Sequence, residues 1–512
     1  MRVLESFVAG AWRAGTGEGQ LLVNPTTEEP MARAACEGLG LEEALQYARR
    51  EGGGALAALS FAERGAMLGA MSRRIHEHRD ELIELAMENG GNTRSDAKFD
   101  IDGAIGTLSF YAELGASLGA HRILADGEAV PLTRSPRLVG RHVWVPRTGV
   151  ALHINAFNFP AWGFAEKAAA ALLAGMPLVT KPATSTALVA HRIVELVADA
   201  APKGAISLVC GSAHELPGLL GPGDVIAFTG SSDTARKLRG LEGVLSADVR
   251  LNVEADSLNS AVLGPDVEPG SDTYELFLSD VVREIRQKTG QKCTAVRRIF
   301  VSSAQHERVR DDLADRLGRV VVGDPTSEGV HMGPLATAQQ RRDVLAGLTR
   351  LAAQARIVVG GLERPSHIKA GPGYFVAATL LEAEAVGADV VHDLEVFGPI
   401  ATLVRAPEDA AGVAALVARG KGGLVCSAYT DDRAFAGALL RGVAPHHGRL
   451  VFGSQKIAGQ AIGPGTVMPH LIHGGPGRAG GGEELGGLRG LALYSQRTAL
   501  QGDRALLDAI VG

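Results

Sequence analysis

Cys293 lies in the stretch Gln287-Lys288-Thr289-Gly290-Gln291-Lys292-Cys293-Thr294, which is polar, lysine-rich and broken by glycine. A thiol attacks carbon only as thiolate, and nearby cations or backbone N–H groups favour that form. The chain has four cysteines, and Cys36, Cys210 and Cys426 sit in bland contexts such as Ala-Ala-Cys36 and Leu-Val-Cys210. Those three read as small buried hydrophobes, which leaves Cys293 as the candidate nucleophile. Glu254 closes the apolar run Leu251-Asn252-Val253-Glu254, where a carboxylate could act as general base toward water. Asn158, in Asn155-Ala156-Phe157-Asn158-Phe159-Pro160, follows a strand-like run and precedes a helical one. Its amide could donate to a developing oxyanion, a role whose loss costs about 2.7–4 kcal/mol. Singly, each has an ordinary alternative: an Asx turn for Asn158, a solvent-facing carboxylate for Glu254, a structural thiol for Cys293.

Such chemistry needs a scaffold that gathers distant segments. From Gly149 the chain alternates regularly: Gly149 to Ile154 reads as a buried strand, Ala161 to Leu173 as a helix stopped by Gly175, and Pro177 to Thr180 as a strand. Ala187 to Ala200 reads as a helix, Ile206 to Val209 and Asp224 to Phe228 as strands, with a further helix from Ser232. This predicts an α/β fold with a parallel, doubly wound sheet, in which ligands bind beyond the C-terminal strand ends. Lys181 falls at such an end and could reach a ribose or phosphate, or be a solvated surface lysine. Gly230 and Ser231 open a Ser-capped helix whose free N–H groups could hold phosphate, although no GxGxxG pattern is present. The βα rhythm continues from Glu254 to about residue 455, a second α/β domain. Residues 37–125 are helical in pattern, and Pro136 to Pro146 reads as a projecting hairpin. The tail from His473 to Arg489 is glycine-rich, fit either to line a substrate tunnel or to turn flexibly before a strand-like Leu491-Ala492-Leu493-Tyr494.

At 512 residues the chain should divide into two or three domains. Its 46% hydrophobic and 21% charged content is that of a folded protein. A net charge of −6 without a basic run gives no footprint for nucleic acid. The longest apolar stretch, Ala168 to Val179, is too short to span a bilayer, and the start lacks the regions of a signal peptide. Four scattered cysteines suit a reducing compartment, so a cytoplasmic protein without a membrane association is expected. No metal is expected.

Taken in order, Asn-Phe-Pro160 after a strand, Lys181-Pro182, Phe228-Thr-Gly-Ser231, a strand-end Glu254 and Gly290-Gln-Lys-Cys293 resemble the aldehyde dehydrogenase superfamily. Gly323-Asp-Pro325, Met332-Gly-Pro-Leu335, Gly373-Tyr-Phe375 and Glu395-Val-Phe397-Gly-Pro399 continue the likeness along nearly the whole chain. The resemblance implies a Rossmann-like cofactor domain (1–126 and 149–253), an α/β catalytic domain (254–455), and a small β oligomerisation arm with tail (127–148 and 456–512). It implies that Cys293 attacks an aldehyde, that Asn158 and the cysteine N–H hold the thiohemiacetal oxyanion, and that hydride passes to a nicotinamide. Glu254 would then activate the water that hydrolyses the thioester to a free acid, a residue that relatives transferring the acyl group to coenzyme A usually lack. Cofactor contacts carry over to Phe157, to Lys181 on the adenosine ribose side, to Gly230 and Ser231 near the pyrophosphate, and to Glu395 and Phe397 at the nicotinamide ribose.

Two departures sharpen this reading. Thr184 stands where NAD-preferring members often carry a glutamate that would repel a 2′-phosphate, so NADP is expected, with NAD weaker. Val253-Glu-Ala-Asp-Ser-Leu-Asn259, the long interval to Cys293 and the glycine-rich tail resemble the dehydrogenase half of ring-opening enzymes of phenylacetate breakdown. They also resemble dehydrogenases of benzoate breakdown, implying a coenzyme-A-linked semialdehyde as substrate. The arm implies a homodimer, since a projecting strand edge needs a partner to cover it.

Overall fold

A computed structural model of the chain describes residues 2–368, 370–383 and 388–511. Five parallel strands form the heart of the first sheet, in the spatial order Arg250–Glu254, Val225–Thr229, Ala151–Ile154, Leu178–Lys181, Ile206–Leu208. Strand order reverses between Ala151–Ile154 and Val225–Thr229, and a crevice must open there because the two connections leave in opposite directions. The alternation after Gly149 had indicated this core but not its extension. Arg2–Val8 lies antiparallel to Ile206–Leu208, and Pro30–Ala34, Gln20–Val23 and Ala11–Ala14 add to it, giving nine strands among the described residues.

The helix Trp162–Ala174 fills the space behind the crevice. All of its residues except Gly163 are buried, so it shows no polar stripe and reads as a core helix. It stops at Gly175, whose φ of 92° is left-handed; an added Cβ would press on the Arg64 guanidinium. The buried Glu166 and Lys167 interrupt its apolar run.

The second sheet runs Ala355–Val359, Thr379–Ala383, Ile400–Ala406, Arg298–Ser302, Ser260–Leu263, Gly423–Tyr429, His447–Gly453. It is parallel except at the edge strand Ala355–Val359. Side chains alternate between its faces: Val262 and Phe300 enter one apolar cluster, Ala261, Leu263, Ile299 and Val301 the other. Two buried faces explain why these strands are mainly apolar, with Arg298 and Ser260 among the buried exceptions.

Leu124–Pro131, Leu138–Pro146 and Ser495–Asp503 form a separate antiparallel sheet of three strands. The expected strand at Leu491–Tyr494 is instead the end of a 3-10 helix, Gly487–Tyr494, and the strand begins at Ser495. Leu491 and Tyr494, three apart, both turn into the core, which helical spacing allows and strand spacing does not. The glycine-rich tail is a packed hairpin, Ile472–Gly474 with Glu483–Leu485, not a flexible turn. Gly474 has a φ of 146°, and a Cβ there would overlap the Gly482 carbonyl. Among the described residues no helix is long and apolar enough to cross a membrane.

Candidate active site

Cys293 is delivered by an unusual turn. Lys288, Thr289 and Gly290 occupy left-handed backbone in succession, with φ of 52°, 55° and 66°. Two non-glycine residues in that region cost on the order of 1–3 kcal/mol each and persist only when surroundings over-determine them. Here Thr289 Oγ1 donates to the Gly333 carbonyl at 3.1 Å, and Lys288 Nζ sits 3.8 Å from Asp100 Oδ2 and over the Phe159 ring. A Cβ on Gly290 would overlap the Gly398 carbonyl oxygen, so the cysteine loop and the Phe397-Gly398-Pro399 turn meet backbone to backbone. Asn259 Nδ2 donates to the carbonyls of Cys293 (2.7 Å) and Ala295 (3.0 Å), while its Oδ1 accepts from Val425 N at 2.9 Å.

Cys293, Glu254 and Asn158 converge at the crevice. Each lines both an outer cleft of about 510 Å³ and a narrow inner pocket walled by Phe99, Phe159, Trp162 and Val467. Asn158 Nδ2 is held by the Gln291 carbonyl at 2.9 Å. Glu254 ends the edge strand of the first sheet, and Thr229 Oγ1 lies 3.5 Å from its Oε2.

The setting of the thiol differs from the one expected. Lys292 turns away from it, with Nζ 2.9 Å from Glu284 Oε1 and 2.7 Å from Gln287 Oε1. Burial, reinforced by the Glu254 carboxylate, pushes the Cys293 thiol well above its ordinary value. Sequence proximity of a lysine does not set the electrostatics of a site when that lysine has buried partners of its own. Cys210 and Cys426 are buried as expected, whereas Cys36 is half-exposed and accepts from Ala213 N at 3.2 Å.

Of the expected site residues, all but Thr184 line the outer cleft: Phe157, Lys181, Gly230, Ser231, Glu395 and Phe397 join the three at the crevice. Thr184 is buried and opens the turn Thr184–Thr186 just after Ala183, which is on the wall. Phe157 and Phe397 meet edge to face, with centroids 5.9 Å apart. Glu395 is raised to about 7 by burial, against the pull of Arg297, and accepts from Ser257 N at 2.9 Å. Burial also lowers the Lys181 amine. Ser231 caps its helix through Thr234 N, and Asp256 Oδ1 accepts from Ser232 N at 3.0 Å, so a protein carboxylate already occupies part of that helix terminus.

Four further residues escape the sequence reading. His473, from the tail hairpin, brings Nε2 3.8 Å from Cys293 Sγ and 3.3 Å from Glu254 Oε1. Lys167 Nζ donates to Thr229 Oγ1 at 2.8 Å, Glu484 Oε2 at 3.1 Å and Glu166 Oε1 at 3.2 Å. Burial raises the Glu166 carboxyl to about 7, against the pull of Lys167. Burial would likewise raise Glu254, but His473 and Lys167 outweigh it and hold that carboxyl below the usual range. The available signal was Glu166-Lys167 inside an otherwise apolar helix, since charges are almost never fully buried unless paired.

A thiol, an amide and a carboxylate thus meet at the mouth of a Rossmann-like crevice. The chain belongs to the aldehyde dehydrogenase family, whose sequence profile matches residues 12–497. It is 44% identical to the 3,4-dehydroadipyl-CoA semialdehyde dehydrogenase of Aromatoleum evansii over 478 residues, 92% of this chain and 93% of that one. Identity to the alpha-ketoglutaric semialdehyde dehydrogenase of Bacillus subtilis (strain 168) is 28%, over 73% of this chain and 74% of that one. The fold superimposes with a TM-score of 0.85 on a crystal structure of betaine aldehyde dehydrogenase from Staphylococcus aureus in complex with NAD+, covering 98% and 95% of the two chains. At 24% identity that likeness is one of fold.

Proposed function

We propose that this enzyme oxidises a coenzyme-A-linked semialdehyde, 3,4-dehydroadipyl-CoA semialdehyde, to the free acid in aerobic benzoate breakdown, using NADP in preference to NAD. The observation that carries the reaction is the meeting of Cys293, Glu254 and Asn158 where the outer cleft joins the inner pocket. The outer cleft, lined by Lys181, Glu395 and Phe397, would hold a nicotinamide dinucleotide, Lys181 serving the adenosine ribose and Phe397 and Glu395 the nicotinamide ribose. When bound, it accepts the hydride. The aldehyde reaches the thiol through the inner pocket, whose apolar walls and small width suit an unbranched acyl chain.

Cys293 attacks the aldehyde carbon, and Asn158 Nδ2 with the Cys293 N–H holds the oxyanion. After hydride loss, Glu254 takes a proton from the water that attacks the thioester, and the acid leaves. Glu254 favours hydrolysis over transfer to coenzyme A. The substrate assignment draws on the 44% relative, which acts on 3,4-dehydroadipyl-CoA semialdehyde by its name. Comparing kcat/KM for an adipyl-CoA semialdehyde with plain medium-chain aldehydes tests it: preference for the CoA-linked substrate by tenfold or more is expected, about 1.4 kcal/mol. Equal turnover of the plain aldehydes overturns the substrate assignment.

The NADP preference rests on position 184, where a threonine leaves Lys181 unopposed by a carboxylate. Thr184→Glu should lower the NADP-to-NAD ratio of kcat/KM, because a carboxylate near a 2′-phosphate costs on the order of 1–3 kcal/mol, or about 5- to 150-fold. An unchanged ratio refutes the argument. The three-stranded arm and the final helix, Arg504–Val511, expose Val130, Leu132, Leu138, Leu506 and Ile510, and a second copy of the chain would cover them in a homodimer.

A further inference from the structure

We propose that His473 is the base that ionises Cys293. The inference rests on the reading of Cys293 as nucleophile and extends it. His473 Nε2 lies 3.8 Å from Cys293 Sγ and 3.3 Å from Glu254 Oε1, and the ligand-bearing atoms of all three lie within 4.8 Å of one another. His473 and Glu254 are both more than nine-tenths buried, and the Glu254 carboxylate faces both the imidazole and the Cys293 thiol.

The site needs such a base. Its thiol is buried beside a carboxylate, both of which oppose a thiolate, and the adjacent lysine is committed to Glu284 and Gln287. An imidazole that can hold a positive charge between sulfur and carboxylate reverses that balance. Its placement is fixed by the tail hairpin: His473 pairs in register with Glu484, which Lys167 holds at 3.1 Å, and the glycines around it let the hairpin strands close tightly. The glycine-rich tail thereby carries a titratable group to the sulfur.

The S–H bond breaks, its proton passes to the Nε2 lone pair, and the electron pair remains on sulfur. That pair forms the C–S bond to the aldehyde carbon while the carbonyl π pair moves to oxygen, beside Asn158. Collapse of the oxyanion would release hydride to a bound oxidised nicotinamide dinucleotide, leaving the acyl group on Cys293 as a thioester. Water then adds with its proton going to Glu254, the C–S bond breaks with its electrons returning to sulfur, and His473 gives its proton back to the thiolate. The proton on Glu254 is released to solvent, so the cycle closes on aldehyde, oxidised cofactor and water giving acid, reduced cofactor and one proton.

The test is the rate of Cys293 alkylation by iodoacetamide between pH 5.5 and 10, read on the Cys293 peptide by mass, for wild type, His473→Gln and His473→Asn. The groups facing His473 are Cys293, Glu254, Glu166 and Arg449, and all are retained in both variants. The expected result is at least a tenfold slower alkylation at pH 7 and a midpoint moved up by about one pH unit or more. NADP binding, followed by tryptophan fluorescence, should be unchanged. An unchanged rate and midpoint in a variant that binds NADP overturns the proposal. So does a wild-type midpoint at or above that of a free thiol, about 8.5, which needs no variant to fold. Alkylation requires no aldehyde, so failure of the CoA-substrate assay leaves this result standing, whereas turnover surviving loss of Cys293 removes the reading beneath it.

Discussion

Replacing Cys293 by alanine abolishes turnover, lowering kcat by a factor on the order of 10⁴ or more, and leaves cofactor binding intact. Loss of a covalent nucleophile removes the only route through a thioester, which is why deletions of this kind rank among the largest known. The loop does not depend on the sulfur for its shape. Asn259 holds the carbonyls on either side of residue 294, Gly290 packs on Gly398, and Thr289 bonds to the Gly333 carbonyl. The thiol faces the inner pocket and His473, so its removal opens a small space without unseating the backbone. Initial rates of reduced-nicotinamide absorbance and a parallel NADP titration check both halves. Appreciable residual turnover rules out Cys293 as nucleophile.

The second large effect is expected at Glu254. Glu254→Gln should give one burst of reduced cofactor, equal to the number of sites, and then a steady rate lower by about 10²–10⁴. The burst survives because hydride transfer precedes hydrolysis, and the amide retains the shape and the Thr229 contact of the carboxylate. The stall follows because an amide cannot accept a proton from water. The sign of the pH dependence can be stated too. Held low by His473 and Lys167, the Glu254 carboxyl is ionised across the whole neutral range, so protonation of Glu254 does not limit activity there. Burial and Glu254 raise the thiol and the His473 imidazole offsets them, so the attack step strengthens as pH rises through the midpoint that the alkylation profile reads. Mass measurement of the stalled enzyme should find the acyl adduct on the Cys293 peptide. A steady rate near wild type takes the base role away from Glu254.

The parts of the site legible in sequence are those that follow strands. Asn158, Lys181, Gly230 and Glu254 each stand just beyond an apolar run, and a doubly wound sheet brings strand ends to one side. The illegible parts are those whose meaning lies in a remote partner. His473 and Cys293 are 180 positions apart, and Lys167 and Glu484 are 317 apart, so neither pairing has a local signature. Lys292 misleads for the opposite reason: it adjoins Cys293 in the chain but is drawn to Glu284 in space. The first strands, Arg2–Val8 to Pro30–Ala34, join the sheet through strand neighbours in space rather than through a βα repeat, so the rhythm that identified the rest passes over them. At Leu491–Tyr494 a four-residue apolar pattern was compatible with either period, and two buried side chains three apart decided for the helix.

The contact between Gly290 and the Gly398 carbonyl is made without side chains on either partner. The loop that carries the reactive sulfur is therefore set against the neighbouring turn of the same sheet by close main-chain contact, with Arg297 donating to the Gly398 and Gly290 carbonyls. Residues on the walls of the inner pocket and outer cleft can change size or charge without passing through that joint. Substrate range and cofactor choice can thus drift over generations while the attacking atom stays in one place, which separates what the enzyme does to a carbonyl from which carbonyl it meets.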